Sequence, residues 1–480
     1  MRFQLVFKYV ATLLFFLSLS YFIPFFYSLW CKDGLFHYYL YPVALTGALF
    51  LIALQIEGGE LNIKEALLTV SLTWFLFPAI SALVYQETGA IKNFIDAYFE
   101  SVSGFTTTGA SILTNIEALP KSVLLWRSTT HWIGGVGFVV FSLSVLPAFG
   151  AGGAQLMRFE ASKAVEERLV PKVKEMARVI LAVYVALTAA EVIALIAAGM
   201  PLYDAVNHAF ATIATGGFST KNGSIGEYHS PLIEVIVSFF MLAGATNLLT
   251  YYLALKNRSL KAIYSYYEFR SFMAIVAFAV AFTTLVLYFK GTYHSLLEAL
   301  RFGSFAVISA ITTTGFGVAD YTKWPPVTQA LMMLLEIMGG SSGSTAGGLK
   351  QFRIVTMAKT TYYEMKKTLH PRMVYRIVLG KKVVDYSLMN NIWAFISIFF
   401  STTLLFGFLI SLSGHDIITS FSASVACITG SGPGLEKVGP AGNFAFFSPI
   451  DKLLLSIEMV LGRLEVMSVL TLLLPSFWKE

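Results

Sequence analysis

Ile311-Thr312-Thr313-Thr314-Gly315 sets three hydroxyls and a glycine between two apolar segments. Residues 306–311 read as a short apolar helix, below the about 20 residues a bilayer requires. Residues 316–326 return to a loop ending in Trp324-Pro325-Pro326. Lipid offers no hydrogen bonds to bare backbone, so a polar turn at membrane depth lines water or is buried in protein. One use for such a turn is a ring of carbonyl and hydroxyl oxygens that replaces the water around a cation.

The turn occurs four times without gaps: Phe105-Thr106-Thr107-Thr108-Gly109, Ile213-Ala214-Thr215-Gly216-Gly217, Ile311-Thr312-Thr313-Thr314-Gly315 and Ile428-Thr429-Gly430-Ser431-Gly432. The closing glycines are 108, 98 and 117 residues apart, a period near 100 that marks an internal repeat. Each copy has an apolar span before it, a short lead-in, a polar loop after it and a second apolar span. Four such units place four loops around one axis.

Of 480 residues, 56% are hydrophobic and 13% charged, and the mean hydropathy is +0.69. A soluble domain carries about 25% charged residues, so the chain reads as an integral membrane protein surrounded by lipid. Two cysteines, Cys31 and Cys427, make no disulfide framework. The net charge of +6 is explained by basic loops rather than by nucleic acid, which is not expected as a partner.

The expected architecture is all-α: ten transmembrane helices, arranged as four helix–pore loop–helix repeats around one pore plus an N-terminal helix pair. Residues 1–58 hold that pair, at 4–30 and 39–56; the first lacks a small-x-small cleavage site and reads as retained. Repeat one is 59–150, with spans at 66–85 and 124–149. Repeat two is 151–256, with spans at 177–198 and 232–255. Repeat three is 257–367, with spans at 272–289 and 327–357, the latter broken. Repeat four is 368–480, with spans at 388–412 and 453–474.

The linkers between repeats carry Arg158, Lys163, Arg168, Lys172, Lys174 and Arg178; then Lys256, Arg258, Lys261 and Arg270; then Lys350, Arg353, Lys359, Lys366, Lys367, Arg372, Arg376, Lys381 and Lys382. Those nineteen of 34 basic residues lie on one side. The linkers and both termini are therefore expected in the cytoplasm, with the four turns entering from outside.

A loop that points carbonyls inward needs backbone angles that glycine supplies. None of the turns holds a carboxylate, as a divalent ion would want; oxygen-only ligands suit a weakly hydrated monovalent cation such as K⁺. The candidate ion ligands are Thr106, Thr107, Thr108 and Gly109; Ala214, Thr215, Gly216 and Gly217; Thr312, Thr313, Thr314 and Gly315; and Thr429, Gly430, Ser431 and Gly432. The competing reading is that small residues here only help helices pack.

These turns resemble the selectivity filter of the Trk/Ktr/HKT superfamily of potassium transporters, over nearly the whole chain. Trp126-Arg127-Ser128 through Trp132-Ile133-Gly134-Gly135, Gly152-Gly153-Ala154-Gln155-Leu156 with Arg158, and the glycine-rich stretch at 339–348 match the Trk branch, as does the N-terminal pair. The resemblance implies K⁺ uptake across the cytoplasmic membrane, with K⁺ as cargo and no catalytic cofactor. It also implies a homodimer with one pore per subunit and a cytosolic nucleotide-binding regulatory subunit of TrkA type. Ala214, Gly430 and Ser431 depart from the threonine pattern, so discrimination against Na⁺ is expected to be looser than in a symmetric filter. Gly109 stands where Na⁺-selective relatives carry Ser.

Gly339, Gly340, Ser341, Ser342, Gly343, Ser344, Thr345, Ala346, Gly347 and Gly348 interrupt a helix at about 1 kcal/mol per glycine relative to alanine. The stretch reads as a mobile loop across the ion path, or as a packing kink; the resemblance implies the loop. Arg463 lies in an otherwise apolar span, where charge is costly and faces a cavity or a partner. The family's Gly-Arg-Leu-Glu, here Gly462-Arg463-Leu464-Glu465, implies that Arg463 projects into the pore below the filter; the alternative is an ion pair with Glu458 or Glu336. Arg127, His131 and Arg301 read as structural groups near the pore helices.

Two rival classes remain. A secondary transporter of another solute also uses glycine-interrupted spans but predicts two related halves. An intramembrane enzyme would need a nucleophile with a base or a metal set; the chain has no His-Glu-x-x-His, no Gly-x-Ser-x-Gly and no paired intramembrane aspartates, so none is expected.

Overall fold

The computed structural model describes residues 1–145, 173–380 and 382–479, with the side chains of 138–145, 173–176 and 382 left aside. Residues 152–156, Arg158, Lys163, Arg168, Lys172 and Lys381 lie outside the described residues. α1 (Phe3–Ser18) and α2 (Phe22–Cys31) join through a 3-10 turn into one 29-residue span. It packs against α3 (Leu40–Leu54), with Phe15 stacked on Phe50 at 4.8 Å.

Four long apolar helices follow: α4 (Ile63–Glu87), α7 (Val173–Ala197), α11 (Tyr267–Phe289) and α15 (Tyr386–Ser411). With the N-terminal pair they make six helices, among the described residues, long and apolar enough to cross a membrane. Arg2 ties the first span to α4 by pairing with Glu65 at 2.7 Å. Tyr21 stacks on the buried Trp126 at 3.9 Å, seating the pair against α6 (Lys121–Val145).

Four short helices are α5 (Phe94–Phe105), α8 (Leu202–Ile213), α12 (Leu296–Ile311) and α16 (Ile417–Thr429). At 1.5 Å per residue they reach only about 18–24 Å. α12 begins ten residues before the expected start at 306. Side-chain caps hold two of the N-termini: Asn93 accepts from the Ile95 amide, and Asp416 accepts from the Thr419 amide at 2.8 Å. That amide keeps the Asp416 carboxyl below its ordinary range.

The second spans depart from expectation. The span expected at 232–255 is α9 (Pro231–Gly244) followed by α10 (Leu248–Lys256), bent by 91°. Asn247 makes the corner, because its side chain caps α10 through the Leu249 amide at 3.0 Å. The span expected at 327–357 is α13 (Pro326–Met338) and α14 (Gln351–Leu369), flanking the glycine-rich stretch. The span expected at 453–474 ends early: α17 (Pro449–Arg463) stops before Glu465, whose φ of 57° is left-handed, and only short pieces follow, at Met467–Leu470, Thr471–Leu473 and Pro475–Trp478. Arg353 of α14 holds that corner by pairing with Glu465 at 2.5 Å. The chain is also not wholly helical: β1 (Ile377–Leu379) and β2 (Lys382–Val384) form an antiparallel hairpin.

Candidate functional site

Each short helix ends in a turn of the same backbone shape. Thr107, Thr215, Thr313 and Gly430 take left-handed φ of 54°, 53°, 51° and 69°, and two residues on Gly109, Gly217, Gly315 and Gly432 take φ of 82°, 80°, 81° and 89°. The hydrogen bonds repeat as well. The amides of Thr108, Gly216, Thr314 and Ser431 donate to carbonyls five residues back, of Ser103, Ala211, Ser309 and Ala426. A β-branched residue in the left-handed region is a genuine outlier, and such strain gathers at functional sites. Here three threonines share it.

The four turns close on one another. A methyl group placed on Gly109 would come closer than 3.0 Å to the carbonyl oxygen of Gly216; on Gly217, to that of Thr314; on Gly315, to that of Ser431; and on Gly432, to that of Thr108. The contacts run from the first turn to the second, third, fourth and back to the first. All four glycines line one open vestibule. The C-termini of the four short helices, where partial negative charge collects, all feed this ring.

The hydroxyls have partners within the protein. Thr106 and Thr312 donate to the helix carbonyls of Val102 and Ile308 at 2.7 Å, and each lies 2.8 Å from the hydroxyl of Thr108 or Thr314. These four brace their turns. In the second turn, a side chain on Gly216 would collide with His131, whose ring stacks on Phe218 at 4.0 Å. Arg127, one helical turn before His131, lies 3.5 Å over the same Phe218 ring and pairs with buried Glu100 of α5 at 2.6 Å. Arg301 of α12 pairs with Glu234 of α9 at 2.6 Å.

The stretch at 339–348 sits at the opposite end of the ring from the vestibule. The Gly347 amide donates to the Thr313 hydroxyl at 2.7 Å, and the Gly348 amide to the Thr429 carbonyl at 3.0 Å. The Thr345 hydroxyl donates to the carbonyl of Ile213 at 2.8 Å. Arg463 donates to the carbonyls of Thr345 at 3.0 Å and Gly134 at 3.1 Å, so it joins the stretch to α6. Glu458 accepts from Ser424 at 2.5 Å, and Glu336 lies 3.5 Å from the Tyr321 hydroxyl. Arg463, Gly347, Thr106 and Thr429 line one small cavity. Among the described residues no group of three or more His, Cys, Asp or Glu is placed to hold a metal.

Sequence reasoning missed three things here. Gly134, Gly244 and Gly462 lie against the carbonyls of Phe105, Ile213 and Ile428, the last residue before each turn, where a methyl group would approach closer than 3.0 Å. Their common signal is a glycine inside an apolar span some 25–30 residues after the turn glycine. The bend at 245–247 meets the 339–348 stretch, with the Ser341 amide on the Ala245 carbonyl at 2.9 Å. Glu268, placed in a linker, is fully buried and accepts from the Ser342 amide at 2.8 Å.

Comparison with known proteins matches residues 35–479 to the family model "TrkH: Cation transport protein". The chain is similar to the Trk system potassium uptake protein TrkH of Salmonella typhimurium, 38% identical over 427 residues and 88% of each chain. It is also similar to TrkH of Halomonas elongata, 33% identical over the whole of both. The crystal structure of the potassium transporter TrkH from Vibrio parahaemolyticus superposes with a TM-score of 0.90 at 29% identity, covering all of both chains.

Proposed function

The chain belongs to the TrkH family of cation transport proteins, and we propose from that membership how its four turns carry the ion. It is a multi-pass membrane protein that takes up potassium, a transporter and not an enzyme. We read the carbonyls of Thr106–Gly109, Ala214–Gly217, Thr312–Gly315 and Thr429–Gly432 as the K⁺ filter. The observation that carries this is the closed cycle of four glycine contacts, which keeps four backbone segments as near one axis as sterics allow. Dehydration is offset by fixed carbonyl dipoles. Gly430 and Ala214 support looser discrimination against Na⁺ than four identical turns would give.

The stretch at 339–348 acts as a gate with Arg463. Its bonds to Thr313, Thr429 and Ile213 support a position across the exit of the ring, where Arg463 would add like charge on the path. The basic linkers favour a cytoplasmic position for this face and for both termini. Ten membrane helices follow if α6 and the bent, broken and shortened second spans of the other repeats count as crossings. The name Trk system, carried by the relatives, supports a cytosolic nucleotide-binding regulatory subunit as partner, and the family reading includes a homodimer in the cytoplasmic membrane.

The test is selectivity. Gly315→Ser puts a side chain at φ 81° and against the Ser431 carbonyl. It is expected to raise the K⁺ concentration for half-maximal uptake and weaken preference over Na⁺. Unchanged K⁺/Na⁺ preference after single substitutions at Gly109, Gly217, Gly315 and Gly432 would remove the assignment.

A further inference from the structure

Glu268 lies in the first turn of α11 with no exposed surface. An ionised carboxyl in such a place is costly unless donors surround it. Three do: the Ser342 amide at 2.8 Å on Oε2, and the hydroxyls of Tyr266 at 2.9 Å and Tyr267 at 3.3 Å on Oε1. One carboxyl therefore joins the gate stretch to the segment that enters α11.

The neighbourhood reaches further. The Tyr267 ring packs against the cluster of Leu349, Phe352, Ile377, Leu379 and Val384, which includes both strands of the hairpin. A methyl group on Gly380, in the hairpin's turn, would meet Tyr267 at 3.3 Å. The hairpin and the 257–266 segment are both on the basic-linker side, and both bear on the residue beside Glu268. Arg463 holds the stretch at Thr345, on α17, and Glu268 holds it at Ser342, on α11. A basic and an acidic side chain thus grip it at points three residues apart.

We infer that Glu268 is a positioning residue for the gate: it fixes the 339–348 stretch in its closed place through the Ser342 amide, and Tyr266 and Tyr267 link that hold to the hairpin and the linker. Movement of either surface element then reaches the ion path through one buried carboxyl. The inference rests on reading the stretch as a gate.

Two measurements test it in the full chain reconstituted in vesicles. The first is rubidium uptake without any partner protein. Glu268→Ala removes the acceptor, and uptake is expected to rise about tenfold, the upper scale of one ordinary hydrogen bond, with K⁺/Na⁺ preference kept. Glu268→Gln still offers Ser342 an acceptor and is expected within about threefold of the native chain. The second is the rate at which a thiol reagent modifies Ser344→Cys in a background with Cys31→Ser and Cys427→Ala. That rate is expected to rise in Glu268→Ala, and to a smaller extent in Tyr267→Phe, a conservative change that spares the fold. An unchanged modification rate in both variants overturns the inference, as does Gln behaving like Ala. If the stretch is anchored by Glu268 but is no gate, modification speeds up while uptake stays constant, which separates the two failures.

Discussion

Arg463→Ala tests the gate directly. The guanidinium gives the stretch one bond, to the Thr345 carbonyl at 3.0 Å, and anchors itself on Gly134 of α6 at 3.1 Å. A hydrogen bond from a charged donor is worth about 1.5–3 kcal/mol. At 1.4 kcal/mol per factor of ten, its loss raises the ratio of open to closed forms about ten- to a hundredfold. A cation passing at about 5 Å meets a further repulsion of about 3 kcal/mol at an effective dielectric constant near 20, and that also disappears. Rubidium uptake by vesicles without partner protein is therefore expected to rise at least tenfold, with K⁺/Na⁺ preference unchanged. Arg463→Lys separates the two contributions, because an ammonium keeps the charge but lacks the planar fork that spans two carbonyls. If the bond dominates, Lys conducts like Ala; if repulsion dominates, Lys conducts like the native chain. Removing residues 342–344 acts on the same barrier, so the combined variant should gain little over either alone. Uptake that falls in both variants, with the protein folded and in the membrane, refutes the gate and leaves the stretch as a packing kink.

Two further outcomes follow from the ring. Gly430→Thr places a methyl-bearing side chain where the nearest atoms are 4.0 Å from its Cβ, at the left-handed position that Thr107, Thr215 and Thr313 already occupy. It is expected to fold at a cost of about 1–2 kcal/mol and to sharpen K⁺/Na⁺ preference; unchanged or weaker preference in competition uptake would count against threonine at this level as a selectivity element. Gly216→Ser collides with His131 and is expected to abolish uptake, while the added change His131→Ala makes room and restores part of it. Equal loss in the single and double variants would show that His131 is not what restricts position 216.

The four turns were legible because their chemistry is local: hydroxyls and glycine inside apolar sequence have few uses. Long apolar helices such as Tyr267–Phe289 were legible for the same reason. The bends were not. Averaged over its whole length, the run from Pro231 to Lys256 is apolar enough to read as one span despite Thr246 and Asn247, and what turns the chain there is Asn247 capping a new helix. The corner at Glu465 depends on Arg353, more than a hundred residues away in sequence. The bracing bonds were hidden too, because nothing local in the sequence shows that the Thr106 and Thr312 hydroxyls reach the helix carbonyls of Val102 and Ile308. Glu268 was assigned to a linker because the apolar run that marks α11 strengthens only after Arg270.

The missed bend changes how the gate must work. A single broken helix could swing freely, but the 339–348 stretch has a facing partner. The Ser341 and Thr345 amides donate to the carbonyls of Ala245 and Gly244, and the Leu248 amide donates back to Gly343. With the bonds to Ile213, Thr313, Thr429, Glu268 and Arg463, at least eight hydrogen bonds hold it in place, the closed form of the proposed gate. At about 1 kcal/mol net each, and short of full additivity, the closed form is favoured by several kcal/mol. Moving a two-state element from mostly closed to mostly open takes about 5.5 kcal/mol of differential binding. If the stretch is the gate proposed above, thermal motion alone opens it rarely, and a change confined to Thr345 or Ser342 opens it only in part. On that proposal, efficient uptake requires a ligand or partner that binds the open form better. The hairpin and the 257–266 segment, both tied to Glu268 through Tyr266 and Tyr267, are where such binding would act on several of the eight bonds at once.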